Sequence, residues 1–490
     1  MSHNIYKVFA VLLFGCTMFK GQAQQTNDSL PSKESAPTLT DIIQQEIEKN
    51  AYRKDPKAYR YRVTLKDKKN NPYSVKRPEA FLSAKAIARR NRMGLKVDQY
   101  DLPLTPAYVQ QIKAMGLRLH NVSKWNNTVV VETRDTLQMK QVQALPFVKQ
   151  ICCVWESPDS VLVLNRSERA KEVTNQRDTT LTNYYGYGQN QVEMLRVEAL
   201  HQAGLRGKGV TVAVIDGGFY NADLIKGLDP AHILGTRNFV RPNKSVYEEL
   251  DHGMMVLSCM LANDPHYLVG TAPDADYYLL QSEDEESEQL IEEDNWCAAV
   301  EYADSLGCDV VTSSLGYYNF DHAYMNHHYN EQNGRTAINS CSASLAASRG
   351  LLVLNSAGNS GAAAWKKIGF PADAFDMLTV GAVNAKGVNT VFSSVGNSAD
   401  GRIKPDVMAQ GEASSVFYGD GTVASANGTS FSCPIMCGAT VCLMQAFPNK
   451  RPTDIIRALQ QSGSNAQHPD NIFGYGIPNM MKAKELLEKK

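Results

Sequence analysis

The chain has 490 residues, 43% of them hydrophobic, with 50 Lys+Arg against 51 Asp+Glu and a formal net charge of −1 at pH 7. Such a length supplies about two to four domains and at least one large core, and the balanced charge argues against a polyanion partner, so no nucleic acid is expected. Ten cysteines at irregular spacing, Cys152 beside Cys153 and seven more from Cys259 to Cys442, form neither a regular disulfide framework nor a zinc site of paired CxxC units. Most read as small buried hydrophobes, with a disulfide or two left open.

At the N-terminus, Lys7 precedes the apolar run Val8–Phe14, and Gly21-Gln22-Ala23 offers small residues at cleavage positions. This layout predicts an export signal over residues 1–23, since the run is too short to span a bilayer. Cys16 could mark lipoprotein processing, but the bulky Phe14 favours soluble export, placing the protein outside the cell or in the cell envelope. No later segment reads as a membrane helix. Residues 24–58 form a polar leader.

Residues 59–155 alternate strand and helix signals. Strands are predicted at Tyr59–Leu65, Leu117–Val122, Thr128–Thr133 and Val148–Val154, and helices at Ser83–Met93, Thr105–Met115 and Leu137–Leu145. Together they make a small α+β module of about 100 residues. A polar linker over 156–190 follows. From residue 191 to 490, apolar runs of strand length recur between helical segments: Val210–Ile215, Tyr277–Leu280, Val310–Val311, Leu351–Leu354 and Met377–Val380. That pattern predicts a mostly parallel sheet covered on both faces, a three-layer α/β domain.

In open parallel sheets, functional groups gather at the carboxyl ends of the strands. Three of these runs end in polar, Gly-containing turns: Asp216-Gly217-Gly218, Ser313-Ser314-Leu315-Gly316 and Asn355-Ser356-Ala357-Gly358-Asn359. Asp251-His252-Gly253 opens a helical stretch, Met254–Leu261, and Asn427-Gly428-Thr429-Ser430 opens a longer one, Phe431–Phe447, almost free of charge. A helix apolar all round must be central. Pro434 is tolerated there because first-turn amides lack intrahelical partners.

Val212-Ala213-Val214-Ile215-Asp216, His252-Gly253, Asn359 after Ala-Gly, and Gly428-Thr429-Ser430-Phe431-Ser432-Cys433-Pro434 resemble the blocks of the subtilisin-like serine proteases. Their order, Asp then His then Ser, is that family's. Phe392-Ser393-Ser394 and Lys404-Pro405-Asp406-Val407 resemble further segments, and the likeness runs from Gln191 to Leu487. It implies an endopeptidase acting through an acyl-enzyme, with protein or peptide substrates. Asp216, His252 and Ser430 would be its triad, Asn359 an oxyanion donor, and Ser314, Leu315 and Gly316 the strand that pairs with substrate. The module over 59–155 resembles a ferredoxin-like inhibitory prodomain, which would be cut away by the enzyme itself within Glu156–Tyr185. No cofactor is implied. Calcium is frequent in the family, but no spacing here assigns a calcium loop.

The sequence departs from the family at Gly217, where Thr or Ser is usual, at Met254 and Met255, and at Cys433. Three rival readings stay open: an inactive subtilisin fold serving as a binding module, an esterase, and a processing enzyme for one partner. Glu283–Asp294 holds eight acidic residues in twelve. It reads as a solvated face, as a selector of basic residues near the scissile bond, or as a dock for the Arg/Lys-rich prodomain helix.

Overall fold

The computed structural model describes residues 57–157, 173, 177, 180–284 and 286–489. The predicted export signal, the polar leader up to residue 56 and most of the predicted cleavage stretch lie outside the described residues.

The first module holds β1 (Tyr59–Leu65), α1 (Ala84–Arg92), α2 (Pro106–Ala114), β2 (Arg118–Ser123), β3 (Thr128–Thr133), α3 (Gln138–Gln143) and β4 (Val148–Glu156). Its four strands pair antiparallel in the order β2-β3-β1-β4, the ferredoxin-like arrangement. Ser83 caps α1 by accepting the Ala86 amide, and Pro106 begins α2, where a missing N–H costs nothing. In β3, Val129 and Val131 join the module's own core while Val130 meets Ile291 across the second domain. The sheet is therefore apolar on both faces because something covers each of them.

The second domain is built on seven parallel strands. These are β5 (Thr211–Asp216), β6 (Ile233–Asn238), β7 (Asp276–Gln281), β8 (Val310–Ser313), β9 (Leu352–Ser356), β10 (Leu378–Val383) and β11 (Val407–Gln410). They lie in the order β11-β10-β9-β8-β5-β7-β6, every pair parallel. Along β5, Val212 and Val214 point to one core while Ala213 and Ile215 point to the other. This alternation explains the unbroken apolar run in the sequence.

Short helices α4 (Gln189–Glu193) and α5 (Val197–Gln202) lead into the sheet, followed by α6 (His252–Leu261), α7 (Ile291–Leu306), α8 (Ile338–Ser348) and α9 (Thr429–Ala446). Helices α6 and α9 pack on the Val212 face, and α7 and α8 on the other. By length and composition α9 could cross a membrane, contrary to the expectation that no later segment would. It is instead the buried central helix of this face, with 89% of it covered.

The acidic stretch is a solvated face only in part: Glu286 and Glu288 are exposed. Its second half enters α7, where Glu292 and Glu293 are each 1% exposed and Asp294 3%. Carboxylates suit a helix N-terminus; Glu292 accepts the Asp284 amide at 2.9 Å, Glu293 meets His327 at 2.6 Å, and Asp294 faces the first module. Arg62 of β1 grips Asp294 through both nitrogens at 2.7 and 2.6 Å. The Arg/Lys-rich α1 docks further along, beyond the acidic stretch. Arg89 and Arg90 both meet Asp304, and Arg92 meets Asp309 at 3.2 Å. Glu301 accepts the Lys124 amide at 2.7 Å and the Trp125 amide at 3.1 Å, closing the turn between β2 and β3. Gln289 holds both backbone groups of Glu156, at 2.8 and 2.9 Å, where the chain leaves β4.

Candidate active site

Asp216 ends β5, and His252 opens α6. His252 Nδ1 lies 2.7 Å from Asp216 Oδ1, which also accepts the Gly217 amide at 2.8 Å. An ionised carboxylate only accepts, so Nδ1 carries the proton and Nε2 keeps its lone pair. Burial lowers the basicity of His252, but the charges of Asp216, Asp251 and Glu283 outweigh it, and its pKa sits above the ordinary imidazole value. Gly253 is required here: a Cβ would come within 2.5 Å of the Gly218 carbonyl and 2.8 Å of Asp216 Cβ. Helix α6 can approach β5 this closely only through a glycine.

Ser430 is the second residue of α9, so its amide has no carbonyl one turn earlier to bond and stays free. Pro434 lies beyond the first turn, deeper than the sequence reading placed it, and lacks the N–H that would bond the Ser430 carbonyl. Ser314 supplies the missing donor: its hydroxyl reaches the Ser430 carbonyl at 2.8 Å. In return, the Ser430 hydroxyl contacts the Ser314 carbonyl at 3.5 Å. Among the described residues no hydrogen bond joins Ser430 to His252. Phe431 stands beside the imidazole, ring centroids 6.1 Å apart.

Asn359 is fixed by α9. Its Oδ1 accepts from the Thr429 amide and the Thr429 hydroxyl, both at 2.9 Å. An amide donor demands the oxygen, so Nδ2 is turned away from Thr429 and left to donate elsewhere. Thr429 also receives the Gly358 amide at 3.1 Å, joining the turn after β9 to the helix start. Leu315 and Gly316 follow β8, and Asn355 Nδ2 donates to the Leu315 carbonyl at 2.7 Å.

All the predicted site residues therefore gather where β5, β8 and β9 end against the starts of α6 and α9. Sequence reasoning missed Thr429 and Asn355 as organisers; it flagged Glu283 only within an acidic stretch and missed Tyr317, whose hydroxyl bonds Glu283. The polar doublets Asn355-Ser356 and Thr429-Ser430 were the available signal for the first two. The departures are packed: Met254 and Cys433 are fully buried, Cys433 Sγ lying 3.5 Å from Thr312 Oγ1. All nine described cysteines are free thiols, six of them buried. Among the described residues no group of three or more His, Cys, Asp or Glu side chains is placed to hold a metal ion.

Residues 207–476 match the sequence model of the subtilase family, and residues 60–174 match the peptidase S8 propeptide domain of Bacteroidota. Subtilisin NAT of Bacillus subtilis subsp. natto is 29% identical over 293 residues, covering 58% of this chain and 68% of that protein. Subtilisin BL of Lederbergia lenta is 29% identical over 289 residues, 59% of this chain and 95% of that protein. The alkaline protease of Alkalihalobacillus alcalophilus is 29% identical over 302 residues, 61% and 70% respectively.

Proposed function

From the premise that this chain belongs to the subtilase family and is a serine-type endopeptidase made as a zymogen with its own propeptide domain, we propose that it cleaves through an acyl-enzyme with Asp216, His252 and Ser430 as the triad. What supports this reading is the 2.7 Å Asp216–His252 hydrogen bond beside a serine at the free start of a central helix. Ser430 Oγ attacks the peptide carbonyl while Nε2 of His252 takes its proton. Asp216 holds the imidazole by Nδ1–H and stabilises the imidazolium. Asn359 Nδ2 and the Ser430 amide stabilise the oxyanion. His252 then protonates the leaving amine, and water releases the acyl group by the reverse proton path. Extended substrate pairs with Ser314, Leu315 and Gly316 as an added strand.

The propeptide domain is proposed to block the cleft until the chain cuts itself within Glu156–Tyr185, and the protein is proposed to be exported. Full-length chain and its Ser430→Ala variant, compared by intact mass after incubation, test this. Wild type should lose its N-terminal part and take a fluorophosphonate label while the variant stays whole and unlabelled. A wild type that matures but never labels would overturn the role of Ser430, and one that stays whole would overturn self-cleavage.

A further inference from the structure

Gly217 leaves Asp216 short of a donor: Oδ1 has two, but among the described residues buried Oδ2 has no hydrogen-bond partner. The space a side chain at 217 would fill is taken by Leu250, whose Cδ1 lies 2.9 Å from the Cβ position, and by Glu283, whose Cβ lies 3.6 Å from it. The backbone fixes this neighbourhood. Strand β7 runs parallel to β5 with Gln281 opposite Asp216, and the Ser282 amide donates to the Asp216 carbonyl at 3.0 Å. Glu283 is the next residue and its Cβ borders Gly217, which brings a second carboxyl-bearing side chain next to Asp216. Its Oε1 accepts from the Tyr317 hydroxyl and, at 3.4 Å, from Ser282 Oγ. Among the described residues Oε2 has no partner. Tyr317 directly follows Gly316, so the contact ties this carboxyl to the predicted substrate strand.

We propose that Glu283, held by Tyr317, is a positioning residue for His252, a second carboxyl that sets how firmly the imidazolium is held and when the imidazole is released as a base. The inference rests on the triad reading above. The titratable groups that act on this carboxyl are Asp216 from β5, His252 at the start of α6, Glu288 from the loop, Glu292 from α7 and Tyr317 after β8. Arg241, the nearby cation on the loop after β6, is occupied by Glu249 and Asp284 at 2.8 Å each. Desolvation, reinforced by the charges of Glu288 and then Asp216, pushes the Glu283 carboxyl up to about 8. His252 is likewise held above its ordinary value, so the two ionisations are linked and the imidazolium is favoured when the carboxyl is charged. The acid limb of kcat/KM should lie higher and be broader than one isolated imidazole would give.

Full-length chain is matured, active molecules are counted by fluorophosphonate labelling, and kcat/KM is followed against pH on an uncharged peptide. Glu283→Gln keeps the oxygen that Tyr317 bonds and removes the ionisation. Its acid limb should move about one pH unit toward acid and sharpen to a single ionisation. Tyr317→Phe removes a donor that favours the anion, so Glu283 stays neutral longer and the limb moves the same way by less. The double variant should match Glu283→Gln alone. Superimposable profiles for Glu283→Gln and wild type, a shift toward alkali, or additive shifts would overturn the proposal. If Glu283→Gln yields no active molecules, the Tyr317→Phe shift decides, its absence overturning the proposal. An unlabelled wild type would instead overturn the triad reading, and this inference with it.

Discussion

Replacing Asp304 by Asn should loosen the propeptide domain far more than a surface ion pair would. Asp304 is fully buried and faces Arg89, Arg90 and Lys124, all carried by the propeptide domain. Burial pushes its carboxyl up, but the three cations outweigh burial and hold it at about 2, against an ordinary value of 3.8. A depressed carboxylate contributes stability that is present above its unfolded pKa and lost as pH falls through the folded one. The shift of about two units makes that contribution about 2–3 kcal/mol at neutral pH, lost between about pH 4 and pH 2. Deleting the carboxylate costs more than protonating it, about 3–5 kcal/mol, because Arg89 and Arg90 stay buried without their shared partner.

Amide exchange read by mass spectrometry in the uncut Ser430→Ala chain measures this directly. Protection of Val129–Val131 in β3 should fall by about two to almost four orders of magnitude, while β5 and β8 keep theirs. Adding Arg89→Met should restore part of the loss by removing one uncompensated charge. A fall of less than about tenfold would refute the argument that this network carries the docking energy. Equal loss in β5 and β8 would place its effect in the peptidase fold instead.

Asn359→Ala should lower kcat by about 10²–10³ with little change in KM, a magnitude carried over from subtilisin, a relative of this chain, rather than worked from its structure. Ser314→Ala leaves the Ser430 carbonyl without its 2.8 Å donor and should cost about 1–3 kcal/mol, read as a fall of a few degrees in the thermal midpoint. Gly253→Ala forces a Cβ to within 2.5 Å of the Gly218 carbonyl, so α6 must back away, and kcat/KM should drop at least about a hundredfold. An active Gly253→Ala enzyme would show that this contact does not hold the dyad.

The segments carrying the proposed triad stood out in the sequence because each is a short local device: a strand ending in Asp-Gly, a helix opening at His-Gly, a helix opening at Thr-Ser. The buried strands were legible for the reason β5 shows, apolar side chains needed on both faces. Strand β6 was missed because it is the sheet's edge, and its Ile-Leu-Gly-Thr-Arg-Asn alternates weakly. Helix α7 was hidden by the acids of its first turn, which looked like solvent-facing charge until Arg62 was seen to cover Asp294. The Glu283–Tyr317 contact joins residues 34 positions apart on different loops, and no local pattern announces it.

Pro434 explains why the proposed nucleophile, Ser430, and the predicted substrate strand form one rigid piece. Without its N–H the Ser430 carbonyl needs an outside donor, and the one it finds is on Ser314. Cys433 adds contacts to Thr312 Oγ1 at 3.5 Å and the Ser313 carbonyl at 3.8 Å, so the end of β8 is tied to the first two turns of α9. The dyad is a separate piece, held by the Gly253 approach and by Leu250 packed over Gly217. Between the two pieces the adjustable link is the Ser430 hydroxyl, which rests at a long 3.5 Å from Ser314. A contact so weak costs little to break, and rotation about χ1 swings the oxygen off Ser314 while the helix stays in place. Such a rotation leaves α9 and β8 undisturbed, which suits a side chain carried at the start of a buried helix.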